Sequence, residues 1–157
     1  KTPEDNRTDF IKRLIGEPGD IVQIIDKNLY INNKKIKKKK ISGFNKINCS
    51  NRNRKTIAFK ETLPNGVSYI AVYFENGTRE NTQKFIVPKD HYFFMGDNRD
   101  CSRDSRFLDS VGFVHQNNLV GKARIIFFSN DKEKGSLYKF WKWNNSIRYD
   151  RTFNKIK

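Results

Sequence analysis

The sequence has 157 residues, of which 32 are Lys or Arg and 17 are Asp or Glu, for a net charge of +15. This length fits one domain or a small core with an insertion, and no apolar run approaches the roughly 18 residues that span a membrane. The cationic balance favours an anionic partner, such as nucleic acid, a phospholipid surface or an acidic protein, or simply a well-solvated surface.

The first predicted elements are three short strands joined by polar turns. Apolar runs rich in β-branched residues cover residues 10–15, 21–25 and 29–31, and Gly, Pro, Asp and Asn separate them. This alternation is typical of strands connected by tight turns. Residues 1–31 are therefore predicted to form the first part of a β core.

The next segment, residues 32–84, is more polar and contains the lysine run at 37–40. Strands are predicted at 56–59 and 67–74, on either side of a Pro-Asn-Gly turn. We interpret this segment as a β insertion within the core.

The core resumes at residue 85 and continues to residue 130, with strands predicted at 85–88, 91–95, 111–114 and 119–128. The tail, residues 131–157, mixes aromatic and basic side chains, which suits either a membrane interface or a cover for the core. A short C-terminal helix is compatible with this tail. The predicted fold class is all-β, with antiparallel sheets.

The charged loop GDNRDCSRDSR, residues 96–106, lies between an aromatic strand and an apolar one. Its composition alone would fit a solvated loop. Its position instead carries it across the edge of the core, where an unpaired charge costs several kcal/mol. The three aspartates in this loop, Asp97, Asp100 and Asp104, are therefore expected to pair with arginines. The candidate arginines are Arg13, Arg99, Arg103 and Arg106.

The segment FIKRLIGEPGD, residues 10–20, contains a lysine in an apolar strand pattern. Side chains alternate between the faces of a strand, so Phe10, Lys12 and Leu14 are predicted to share one face. A lysine in such a place is commonly a snorkelling surface residue. Burial among apolar neighbours would instead lower its pKa from about 10.4 and make it available as a base.

Together, these two segments resemble the conserved boxes of bacterial type I signal peptidases, a family of Ser–Lys proteases. FIKRLIGEPGD is similar to the lysine box, and MGDNRDCSRDSR is similar to the box that follows the β insertion. The resemblance covers about residues 9–129, and the string GDNRD-x-S-x-DSR is long and specific. It implies antiparallel sheets of the type shared by signal peptidases and SOS-repressor proteases, with residues 1–31 and 85–130 as a discontinuous catalytic core.

The resemblance also implies roles for individual side chains. Lys12 would be the general base, and Ser102 would hydrogen-bond its amine and orient it. Four residues would support the site: Arg13, Asp97, Asp104 and Arg106. Three would line the substrate groove: Phe10, Ile11 and Met95. Cys101 stands where the family normally has Asn.

The family's nucleophile motif, of the type S-M-x-P-T, does not occur in this sequence. Neither His91 nor His115 follows a nucleophile motif, so a Ser–His arrangement is not predicted either. The chain also lacks an initiator Met and a secretory signal, which indicates a fragment or a processed piece. We therefore expect this chain to supply the base but no nucleophile, and to be inactive alone.

The two cysteines, Cys49 and Cys101, form neither a disulfide framework nor a metal-binding pattern. A single bridge between them would suit an oxidising compartment, but it is not predicted. No metal site and no organic cofactor is expected.

The intact protein, by resemblance, would be anchored in the cytoplasmic membrane with its catalytic domain on the outer side. It would cleave signal peptides after Ala-x-Ala near an anionic membrane surface. Three alternatives remain open: an SOS-repressor-like Ser–Lys autoprotease, a basic β domain that binds nucleic acid, and a catalytically dead remnant. Nucleic acid is not the expected partner, because the aromatic residues lie in strand patterns without an RNA-binding signature.

Overall fold

The structure, a computed structural model, describes residues 1–3, 5, 7–42, 55–77, 81–130 and 146–156. The chain divides into two compact units, residues 1–120 and 121–157. Within the described ranges it forms ten strands and two short 3-10 helices. The strands are β1 (Arg13–Gly16), β2 (Ile21–Ile25), β3 (Asn28–Ile31), β4 (Lys34–Lys35), β5 (Lys37–Ile41), β6 (Thr56–Thr62), β7 (Ser68–Phe74), β8 (Phe85–Ile86), β9 (His91–Met95) and β10 (Val114–His115). The 3-10 helices are Arg99–Cys101 and Gln116–Asn118.

The strands form three small sheets, in the orders β1-β9-β10, β4-β3-β2-β8 and β5-β6-β7. The pairs within these sheets are antiparallel. The prediction of an all-β fold is therefore confirmed. No helix among the described residues has the length and apolar character needed to cross a membrane. Residues 131–145, which hold much of the aromatic tail, lie outside the described part of the chain, and the possible C-terminal helix of this tail stays a prediction.

Strand β1 begins three residues later than predicted, at Arg13 rather than Phe10. It pairs with β9 so that Arg13 faces Met95 and Leu14 faces Phe94, and the register then shifts before Gly16. Gly16 lies against β2, because a Cβ at this position would approach Val22 Cγ2 to 2.7 Å. Lys12 is therefore not in the strand but immediately before it, beside the end of β9.

The predicted strand at residues 119–128 was wrong. Its one strand-like contact is an isolated bridge between Ile125 and Lys155. Val120 and Phe127 are each 75% exposed, so these side chains are not buried as those of a core strand would be. The predicted strand at 111–114 is also displaced, because regular pairing in this region is limited to β10, where Val114 faces Tyr92.

The hydrophobic core of residues 1–120 includes side chains from the segment interpreted as an insertion. Leu63, Tyr69, Ala71 and Tyr73 belong to the same buried cluster as Phe93 and Met95. Burying apolar surface in one shared cluster stabilises β6 and β7 together with the flanking strands. The predicted domain boundaries at residues 31, 84 and 130 stay predictions, and the described units divide after Val120.

Candidate active site

The central contact of the candidate site joins the two segments singled out in the sequence. Lys12 Nζ donates a hydrogen bond to Ser102 Oγ over 2.7 Å. Lys12 precedes β1, Ser102 follows the 3-10 helix Arg99–Cys101, and the pairing of β1 with β9 brings these positions together. Gly96 allows the approach, because a Cβ there would lie 2.2 Å from Ser102 Oγ and 3.6 Å from Lys12 Nζ.

Lys12 is half-buried, and its electrostatic environment favours the neutral amine. Burial lowers its pKa below the ordinary value, with the nearby Asp104 carboxylate opposing this and the Arg106 guanidinium reinforcing it. The centroid of the Phe10 ring lies 5.3 Å from Nζ. A neutral lysine retains two N–H donors and one lone pair. It can therefore donate to Ser102 and still accept a proton elsewhere.

Asp104 and Arg106 form a buried, two-pronged ion pair behind Ser102. Arg106 Nε lies 2.8 Å from Asp104 Oδ1, and its terminal nitrogen lies 2.8 Å from Oδ2. Gly96 N–H also donates to Asp104 over 2.9 Å. Burial tends to raise the pKa of Asp104, but hydrogen bonds and charge from Arg106, with hydrogen bonds from Gly96 and Ser102, outweigh it and hold the pKa below its ordinary value. Asp104 therefore stays ionised and accepts from the Ser102 hydroxyl.

Arg13 and Asp97 form a second ion pair between the two segments. Arg13 Nε lies 2.7 Å from Asp97 Oδ1, and a second nitrogen lies 2.8 Å from Oδ2. Asp97 is 44% exposed, so this pair is weaker than the buried one. The Arg13 guanidinium also stacks 4.0 Å above the Tyr69 ring, which belongs to β7.

Two charges of the loop are bound differently from the prediction. Arg99 is paired not with a loop aspartate but with Glu61 of β6, over 2.6 Å. Asp100 accepts a backbone hydrogen bond from Phe74 over 2.7 Å. Sequence reasoning missed Glu61, although strand alternation places it on one face with Ile57 and Phe59, where a carboxylate requires a partner.

The three predicted groove residues are not brought to one surface. Phe10 is 45% exposed and Ile11 is 81% exposed, and both adjoin Lys12 in the chain. Met95 is fully buried in the hydrophobic cluster. Cys101, one residue before Ser102, is disulfide-bonded, which its spacing from Cys49 did not predict. Cys49 lies outside the described residues.

Comparison with known proteins shows which family the chain belongs to. The family described as signal peptidase, peptidase S26, matches residues 1–128. The chain belongs to the signal peptidase family. It is 42% identical to a signal peptidase I of Rickettsia bellii, over 99% of this chain and 57% of that protein. It is 39% identical to a signal peptidase I of Rickettsia canadensis, over 99% of this chain and 62% of that protein.

The chain thus spans about three-fifths of the length of these relatives. A crystal structure of a signal peptidase I from Enterococcus faecalis is 29% identical, with a TM-score of 0.37, and covers 70% of this chain and 78% of that one. This family is the one that the segments around Lys12 and Ser102 resembled. Family membership favours a signal peptidase over a repressor-type autoprotease or a nucleic-acid-binding domain.

Proposed function

We propose that this chain supplies the general base of a Ser–Lys endopeptidase that removes signal peptides from preproteins. The observation that carries the proposal is the 2.7 Å contact of Lys12 Nζ with Ser102 Oγ, at a lysine whose pKa is lowered by burial. The family match supports the same assignment. The substrates would be preproteins cleaved after Ala-x-Ala.

In this mechanism the neutral Lys12 amine accepts the proton of the nucleophilic serine hydroxyl as that oxygen attacks the scissile carbonyl carbon. The protonated lysine then gives the proton to the leaving amine, and water hydrolyses the ester by the same route. Ser102 holds the amine in place, and the buried Asp104–Arg106 pair holds Ser102. Arg13 and Asp97 secure the ends of the two boxes to each other.

No serine of the sequence stands in the nucleophile motif, so we propose that residues 1–157 do not cleave preproteins alone. The exposed Phe10 and Ile11 beside Lys12 are candidates for contact with the signal peptide, whereas Met95 is fully buried. We place the intact protein at the cytoplasmic membrane, with the catalytic domain outside and its basic surface near anionic lipid.

The test is a chimaera. The part of the Rickettsia bellii relative ahead of its lysine box is joined to this chain, and cleavage of an Ala-x-Ala preprotein is followed in vesicles. Lys12→Met removes the base, and we expect cleavage to fall by about 10²–10⁴-fold. Lys60→Met, at an exposed lysine of β6, is the matched control and should retain activity.

Two results would contradict the proposal. Undiminished cleavage by the Lys12→Met chimaera would remove Lys12 from the mechanism. Lys12-dependent cleavage by residues 1–157 alone would show that the chain contains its own nucleophile.

A further inference from the structure

A buried polar cluster lies outside the Lys12–Ser102 pair. Glu61 of β6 is fully buried and accepts hydrogen bonds from Tyr69 over 2.9 Å and from Tyr73 over 2.6 Å. Arg99, 1% exposed, donates to Glu61 over 2.6 Å and to each tyrosine hydroxyl over 2.8 Å. Four side chains of two separate segments thus bond to one another around the carboxylate, while the buried Arg99 Nε has no hydrogen-bond partner among the described residues.

This cluster is linked to the candidate active site through the backbone of Arg99 and a series of hydrogen bonds that begins at its carbonyl oxygen. The Arg99 carbonyl accepts a hydrogen bond from Arg106, whose guanidinium also donates to the Asp104 carboxylate. Asp104 accepts from Ser102, and Ser102 accepts from Lys12. Arg99 also lies only three residues before Ser102, on the short 3-10 helix. A displacement of Arg99 would therefore reach Ser102 through the backbone and through Arg106.

Backbone N–H groups of β7 hold the same loop through a second set of hydrogen bonds. Val72 N–H donates to the Asp97 carbonyl over 2.8 Å. Phe74 N–H donates to the Asp100 carboxylate over 2.7 Å. Tyr69, which binds Glu61 and Arg99 through its hydroxyl, also supports the Arg13 guanidinium on its ring. The β6–β7 hairpin thus contacts the segment that contains Lys12 and the loop that contains Ser102.

We propose that Glu61 is a positioning residue, which fixes the loop through Arg99 and so holds Ser102 against Lys12. The inference rests on the proposed role of Lys12 as the base and extends it to the β6–β7 hairpin. Without the carboxylate, the Arg99 guanidinium would be a buried charge with no counter-charge, which is strongly unfavourable. The loop would move to hydrate it, water would reach Lys12, and the amine would gain a proton more easily.

The experiment measures the pH titration of the Lys12 amine by NMR in residues 1–157, at a temperature where each variant remains folded. Glu61→Gln keeps the shape of the side chain and removes its charge. Tyr73→Phe removes only the hydroxyl that bonds to both Glu61 and Arg99. If Glu61→Gln fails to fold, this milder variant still tests the proposal. Glu75→Gln, at an exposed glutamate just after β7, is the control.

We expect the pKa of Lys12 to rise by roughly 0.5 or more toward 10.4 in Glu61→Gln, to rise less in Tyr73→Phe, and to be unchanged in Glu75→Gln. The sign is informative, because losing a negative charge through space would lower the pKa instead. The charged groups that act on Lys12 directly, Asp104 and Arg106, are not substituted in any variant.

Three outcomes separate the two proposals. A rise in the two cluster variants alone supports the positioning role. A lowered Lys12 pKa that is the same in the unaltered chain and in both folded variants overturns the role of Glu61 and leaves the proposed function standing. An ordinary pKa in the unaltered chain would instead overturn the proposed function itself.

Discussion

Gly96 and Ser102 are in such close contact that a Cβ added to the glycine would lie 2.2 Å from the serine Oγ. Ser102 is 9% exposed and is also hydrogen-bonded to Asp104, so its side chain has little room to move away. The absence of a side chain at Gly96 is therefore a geometric requirement for the Lys12–Ser102 contact.

Gly96→Ala is expected to displace Ser102 and destabilise the fold by about 1–3 kcal/mol through overpacking. Cleavage by the chimaera should fall by more than the loss of folded protein explains, because the Ser102 hydroxyl no longer contacts the Lys12 amine. Urea unfolding and initial cleavage rates measure the two effects. Gly121→Ala, where an added Cβ meets nothing within 4 Å, is the control. Full activity of the Gly96→Ala chimaera would show that the contact is dispensable.

Ser102→Ala removes the hydroxyl that orients Lys12 while adding no bulk. We expect cleavage to fall on the order of 100-fold, because a misdirected amine meets the nucleophile less often. Ser110→Ala is a matched control, since the Ser110 hydroxyl is buried without a hydrogen-bond partner in the described part of the chain. Equal rates for the two variants would contradict an orienting role.

Cleavage by the chimaera should rise with pH and level off below the ordinary lysine pKa of about 10.4. The base must be neutral, and burial lowers the pKa of Lys12, so its neutral fraction grows at a lower pH than that of an exposed lysine. Lys12→Arg should abolish cleavage across the range, because a guanidinium stays protonated. A pH-independent rate, with the fold intact throughout, would argue against Lys12 as the base.

A second lysine, Lys38 of β5, is expected to make folding stability depend on pH. Its ammonium lies 4.0 Å from the Tyr73 ring centroid and donates to the Lys27 carbonyl over 2.5 Å. Burial lowers its pKa to about 8, against the opposing charge of Glu61 and with reinforcement from Arg99, Lys35 and Lys27.

Because the unfolded chain holds this proton up to its ordinary pKa, the free energy of unfolding should rise between pH of about 8 and about 10.5. The effect will be moderate, since Lys38 is only partly buried. Lys38→Met should reduce the slope, and Lys39→Met, at an exposed neighbour, should not. Urea unfolding at several pH values gives the comparison. An identical slope in both variants would mean that Lys38 does not couple to folding.

The sequence predicted those strands whose apolar pattern coincides with an available partner. Residues 21–25 and 91–95 are strands as predicted, because neighbouring strands pair with them on both sides. Residues 119–128 are equally apolar but gain no partner strand in the described part of the chain. Apolar content shows that a segment could be buried, but not whether another strand lies beside it.

The candidate site was predictable where a motif fixed it. The boxes around Lys12 and Ser102 were recognised from their residues, and their ion pairs Arg13–Asp97 and Arg106–Asp104 involve the side chains named for support. The Glu61–Arg99 pair was not predicted, because it joins positions 38 residues apart through the packing of a 3-10 helix against a strand. A local sequence pattern does not show which arginine of the loop will pair with a carboxylate in a distant strand.

The β6–β7 hairpin lies against the loop at its strands and reaches solvent at its turn. The turn residues Pro64, Asn65 and Gly66 are exposed, and a side chain added at Gly66 would meet nothing within 4 Å, although its φ of +84° favours glycine. Relatives of this chain should therefore tolerate a longer tip between these strands, whereas a shortened hairpin would leave the loop without its support. Residues added at the exposed turn should cost little stability, whereas residues removed from the strands would take away contacts with the loop.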